Sequence, residues 1–183
     1  MRALIPELVS QEVLLVVAPH AARSAMLELV AMLARTDPVR VLDGGNQFNA
    51  YQVARSVRRY TAGLEETMAR IQLSRAFTCY QMTALLASSV PEAIPTVVLD
   101  LLCTFYDENV QLAERRRLLA GCTRRMRQLC RLAPVVTAAQ PAGAGQPERA
   151  MLLDILCASA NQVWELEAPP AAPALPGLFQ EGA

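Results

Sequence analysis

Ser24 and Asp100 are a hydroxyl and a carboxylate of the kind that hold a magnesium ion, and Arg23 places a cation beside the first. Their setting suggests phosphate chemistry. Residues 13 to 33 read as a strand (VLLVVAP), a tight turn (PHAAR) and a helix running from about Ser24 through LELVAMLA. A phosphate-binding loop between a strand and a helix reads G-x-x-x-x-G-K-S/T. On that pattern the chain supplies Val17, Ala22, Arg23 and Ser24, so only the hydroxyl position is kept. The glycines matter because the backbone must curl its N–H groups around phosphate, and Cβ atoms obstruct that. The lysine matters as a slender charge, and all seventeen basic residues here are arginine. Arg23 has the right charge on a broad planar fork, which does not replace lysine in a tight loop.

The elements that must carry these residues follow from the apolar pattern. Strands are expected at Val13–Ala18, Val39–Asp43, Ile71–Ser74, Thr96–Leu102, Val135–Ala138, Leu152–Ala158 and Gln162–Glu167. Helices are expected near Ser24–Arg35, Ala50–Tyr60, Tyr80–Ser88 and Leu112–Leu132. Several early strands lack polar alternation, as strands covered on both faces do. The alternation of strand and helix predicts a three-layer α/β domain with a mainly parallel sheet. The last two strands, separated only by Ser159–Asn161, read as a C-terminal antiparallel hairpin. Gln140–Arg149 (QPAGAGQPER) reads as a loop. Residues 1–167 form the expected domain, and Ala168–Ala183, rich in Pro and Ala, reads as an extended tail.

Four segments taken in order resemble the ATPase core of RecA/RadA-type recombinases and their paralogues. The first is the altered loop. The second, VLDGGNQFNAYQVA, is similar to that family's second strand and helix; Asp43 and Phe48 match, and Gly45 stands where the family carries its catalytic glutamate. The third, IQLSRAFTCYQMTALL, matches at Arg75, Ala76, Phe77, Gln81, Leu85 and Leu86. The fourth, TVVLDLLCTFYDEN, is an apolar strand ending in Asp100 like a Walker B, followed by an arginine-rich helix and VVTAAQ. Gln140 then falls where the family keeps a polar sensor, and Pro141–Glu148 where it has a DNA-facing loop. The resemblance covers about residues 12 to 167 and implies a RecA-like P-loop NTPase fold. It makes Arg23, Ser24, Asp100 and Gln140 the remnant of a nucleotide site. With the lysine and the glutamate both gone, no ATPase activity is expected, and neither ATP nor magnesium is expected as a cofactor.

Other residues have plainer readings. Asp100 also reads as a strand-end carboxylate that hydrogen-bonds Ser24 or caps that helix. His20, the only histidine, reads as a surface turn residue, and Gly44 and Gly45 as glycines that permit positive φ after Asp43. Cys79, Cys103, Cys122, Cys130 and Cys157 form no C-x-x-C pair, so buried reduced thiols are expected rather than a zinc site.

Charge is the remaining signal. The net charge is zero, but Arg115–Arg131 holds seven arginines and no acid. On a helix, Leu119, Cys122, Met126, Leu129 and Cys130 share one face. Arg117, Arg124, Arg127 and Arg131 gather opposite, with Arg116 at their edge. That stripe suits DNA, RNA or an acidic partner protein, since the guanidinium fork gives bidentate bonds to phosphate or carboxylate. No run approaches the roughly 20 apolar residues of a membrane span. The opening MRALIPELVSQE is not patterned as a signal peptide, which places the chain in the cytoplasm. The expectation is a non-catalytic, recombinase-like accessory protein of DNA recombination or repair. It would bind another RecA-like ATPase, a DNA-processing protein or DNA itself. The competing readings are a weak nucleotide sensor or residual DNA-dependent ATPase, and a nucleic-acid module independent of nucleotide.

Overall fold

The computed structural model describes residues 11–166. The readings of the first ten residues, of Glu167 and of the Pro/Ala tail lie outside that range. Six strands form one sheet: β1 (Val13–Val17), β2 (Val39–Asp43), β3 (Ile71–Arg75), β4 (Thr96–Leu99), β5 (Val135–Ala139) and β6 (Gln162–Glu165). Their order across the sheet is β3-β2-β4-β5-β1-β6, and every neighbouring pair is parallel. Parallel strands need crossovers, which here are the helices α1 (Arg23–Leu33), α2 (Ala50–Tyr60), α3 (Leu64–Ala69), α4 (Cys79–Ser88), α5 (Leu112–Leu129) and α6 (Pro147–Ser159).

Two cores explain the missing alternation. Along β1, Val13, Leu15 and Val17 join one cluster with α4, α5 and α6, while Leu14 and Val16 join another with α1 and α2. Successive side chains of a strand point to opposite faces, so a strand sandwiched between helix layers is apolar at every position. Each fully buried leucine among them contributes on the order of 2 kcal/mol. The edge strands differ. β3 has exposed residues on both faces and β6 on one, and Leu73 and Val163 are exposed.

The structure corrects the C-terminal reading. Leu152–Ala158 lies within helix α6, with Leu152 and Leu156 buried one turn apart. Pro147 at the first turn and Glu148 beside it are helix-start signals inside the segment expected to be loop. A short apolar run cannot be assigned to strand or helix by periodicity alone. Because α6 crosses over the sheet, β6 returns parallel to β1 (Leu14 opposite Gln162), and the described residues form no hairpin there. The expected strand Thr96–Leu102 also stops early. It ends at Leu99, Asp100 turns into the left-handed region (φ 46°), and Leu101–Phe105 form a 3₁₀ segment. Helix α3 was not legible in the sequence.

Candidate functional site

In open parallel sheets ligands bind beyond the carboxyl ends of the strands. The turn after β1, the loop from β2 to α2, Asp100 after β4 and Gln140 after β5 all meet there.

The turn after β1 has an unusual shape. His20, Ala21 and Ala22 have φ of 52°, 50° and 50°, three consecutive left-handed residues, none of them glycine. Each costs about 1–2 kcal/mol relative to the right-handed region, because Cβ crowds the following carbonyl. The turn is tied down where Ala21 N–H donates to the Ala18 carbonyl at 2.9 Å and the Ala21 methyl is buried. His20 is exposed, as expected of a surface turn residue. Arg23 opens α1, and its Nε donates to the Gln47 carbonyl at 2.9 Å. Its guanidinium is thus held on the β2–α2 loop. Ser24 stands exposed on the first turn of α1.

Asp43, at the end of β2, is fully buried. Its Oδ1 accepts from Gln47 N–H at 2.8 Å, and its Oδ2 from Phe48 N–H at 3.0 Å and Arg75 Nε at 3.1 Å. This carboxylate binds the β2–α2 loop to the end of β3. The two glycines after it serve proximity rather than positive φ. Among the residues of this loop the left-handed one is Asn46 (φ 51°), whereas a Cβ on Gly44 would lie 2.9 Å from Met82 Cε and 3.0 Å from the Asp100 carbonyl oxygen.

Asp100 is also fully buried. Its Oδ2 accepts from Gln140 Nε2 at 2.8 Å and from Gln47 Nε2 at 3.3 Å, while Oδ1 is enclosed without a hydrogen-bond partner among the described residues. Ser24 is not among its partners. Burial pushes the Asp100 carboxyl above the usual carboxylate range, partly offset by the two glutamine amides and reinforced by the nearby Asp43 charge. Gly45 covers the group, and a Cβ there would stand 2.7 Å from Oδ2. A hard cation needs an ionised carboxylate with open oxygens. This one faces two amides and the backbone of Gly45. Among the described residues no cluster of three or more His, Cys, Asp or Glu side chains is arranged to hold a metal.

The structure therefore brings Arg23, Asp100 and Gln140 onto one network and leaves Ser24 off it. Gln47 joins them, and sequence reasoning passed over it. Its carbonyl holds Arg23, its amide N–H holds Asp43 and its side chain holds Asp100. The available signal was a polar residue four positions after a strand-end acid, beyond two glycines. That pattern accounts for the bond from Gln47 N–H to Asp43 and not for the side-chain bond to Asp100.

The arginine helix divides its charges. Leu119, Cys122, Met126, Leu129 and Cys130 are buried as the periodicity predicts. Arg127 Nε donates to the Ser159 carbonyl at 3.1 Å and caps the C-terminus of α6. Arg125 does the same for α4 through the carbonyls of Leu86 (3.2 Å) and Ser89 (2.6 Å). Arg117 is bidentate to Glu114, at 2.7 Å for both bonds. Arg115 is 3 % exposed and pairs with Glu148 of α6. Of the five stripe residues, Arg116, Arg124 and Arg131 are exposed and have no hydrogen-bond or ion-pair partner among the described residues.

The cysteines are all free; Cys79, Cys122 and Cys130 are buried, Cys157 is half-buried and Cys103 is exposed. No helix among the described residues is long and apolar enough to cross a membrane. The chain matches no protein-family model and no curated protein.

Proposed function

We propose that the chain is a non-catalytic accessory protein of DNA recombination or repair, a cytoplasmic RecA-like core kept as a docking or DNA-binding platform. The observation that carries this reading is the enclosure of Asp100. The carboxylate that would hold magnesium in an ATPase of this layout is bonded to Gln47 and Gln140 and covered by Gly45. The loop that would grip phosphate carries alanines, and its one cation is turned onto a carbonyl. Phosphoryl transfer depends on positioned metal, cation and water, and these side chains are engaged with one another instead.

Docking is favoured over nucleic-acid binding because four of the seven arginines from Arg115 to Arg131 already bond other groups of the fold, three of them on other elements. Arg116, Arg124 and Arg131 support the second reading, a nucleic-acid surface of small extent. Three phosphate contacts on single strands give a salt slope of only about −2.

The test uses the purified full chain with millimolar Mg-ATP, with and without single-stranded DNA. No steady-state phosphate release is expected. Turnover that disappears on Asp100→Ala would overturn the proposal. Co-purification from native extract should recover a RecA-like ATPase or a DNA-processing protein, and a solitary chain would count against the docking role. Fluorescence anisotropy at low and moderate salt decides the second reading, since Arg116→Glu with Arg124→Glu should abolish any DNA binding that uses the stripe.

A further inference from the structure

Arg40 lies near the start of β2, at the opposite end of that strand from Asp43, and is 9 % exposed. It is flanked by Gln72 of β3 and Thr96 of β4. A buried guanidinium requires partners for its N–H groups. Here Nη2 donates to Glu92 Oε2 at 3.3 Å, and Nη1 is enclosed with no partner among the described residues. That single bond is longer than the 2.7–2.9 Å usual for a charge-assisted pair. Glu92 is itself 48 % exposed, on the segment between α4 and β4.

A pocket of about 260 Å³ opens over Arg40, bounded by Gln72 and Ser74 of β3, the end of α4 and Glu92. The hydroxyls of Ser88 and Ser89 both donate to the Leu85 carbonyl, so they are committed within α4. The Ser74 hydroxyl and the Gln72 amide have no partner among the described residues. The pocket thus has beside it one buried cation held by a single long bond, two free donors, and a loosely held acid at its lip.

Glu92 shows what the pocket accepts, because its own carboxylate rests on Arg40. We infer that this pocket is a binding site for a carboxylate from outside the chain, received by Arg40 with Ser74 and Gln72, and that Glu92 occupies it until that group displaces it. The planar carboxylate matches the guanidinium fork. A phosphate dianion does not, since it would meet a single cation with Glu92 alongside. The volume is below the roughly 300–1,000 Å³ of sites for drug-sized ligands, and suits an acidic side chain or a small free acid. Glu92 is exposed and its bond is long, and an incoming carboxylate that takes its place leaves the buried Arg40 paired, so the exchange of Glu92 is inexpensive. This site lies away from the Asp100 network and does not depend on the function proposed above.

The experiment follows the Arg40 Nε–H and Ser74 amide resonances of the ¹⁵N-labelled full chain. The chain is titrated with sodium acetate, against sodium chloride at equal ionic strength. Both resonances should move along a saturating curve with acetate and not with chloride. Glu92→Gln should tighten acetate about five- to tenfold, Glu108→Gln should leave it unchanged, and Arg40→Gln should abolish the response at Ser74. An acetyl-Ala-Glu-Ala-amide peptide bound at least tenfold tighter than acetate would identify a protein segment as the source of the carboxylate, and equal binding would identify a free small acid. Unresponsive resonances, or an affinity unchanged or weakened by Glu92→Gln, would refute the site. If circular dichroism shows that Arg40→Gln does not fold, the Glu92→Gln comparison decides alone.

Discussion

Gly45 and Asp100 approach so closely that a Cβ on residue 45 would stand 2.6 Å from the Cβ of Asp100. Glycine at residue 45 is therefore a packing requirement of this chain. A glutamate there would collide with Asp100.

Gly45→Ala should destabilise the fold by about 1–3 kcal/mol, the usual cost of overpacking, measured by urea denaturation. Gly45→Glu should cost more and still release no phosphate from ATP. A Gly45→Glu protein as stable as the parent would show that the loop can swing away from Asp100.

The left-handed turn predicts the opposite sign. His20→Gly and Ala22→Gly remove a Cβ from a strained position while giving the unfolded chain more freedom, so the gain is partial. Each should stabilise the protein by about 0.5–1 kcal/mol. Neither residue is buried, so little packing is lost. A loss of stability in both variants would mean that the turn is not left-handed in solution.

Asp100 sets a pH dependence. Burial raises its folded-state pKa above the unfolded value. Its contribution is therefore fully present below the unfolded pKa and is lost as pH rises through the folded one. Asp100→Asn can still accept both glutamine amides through one oxygen and carries no charge. Its thermal midpoint should equal or exceed the parent's at pH 7, and the fall between acidic and neutral pH should be reduced. A midpoint well below the parent's at pH 7 would show that the ionised carboxylate stabilises the network.

The arginines should separate into three classes. Arg127→Ala and Arg125→Ala each remove a cap from a helix C-terminus and should cost about 1 kcal/mol. Arg116→Ala and Arg124→Ala should fall within about 0.5 kcal/mol of zero. Arg115→Ala removes a buried stem and its ion pair with the half-exposed Glu148, and should cost more than either cap, about 2 kcal/mol. Equal effects across all five would deny the division.

Tyr106 gives a spectroscopic check. Burial, with the Asp100 charge nearby, pushes its phenol up to about 12, against the opposing effect of Arg149, whose guanidinium lies 4.6 Å from the ring centroid. Ultraviolet titration should show a tyrosine step near that pH, and Tyr106→Phe should remove it.

Sequence alone determined the layers and most of their boundaries. Continuous apolar β-branched runs report burial on both faces, and burial on both faces requires helices on each side of a parallel sheet. It also determined that the turn after β1 carries neither glycine nor lysine, since residue identity is enough for that. Three things waited for the tertiary structure. ILCAS is equally apolar as strand or helix, and only its packing under the sheet made α6 a crossover and β6 parallel. The α5 arginines form one face on a helical wheel, but which of them meet carbonyls depends on where α4 and α6 end. Gln47 and Asp100 are 53 positions apart, and no local pattern encodes a contact made when separate strands bring their carboxyl ends together.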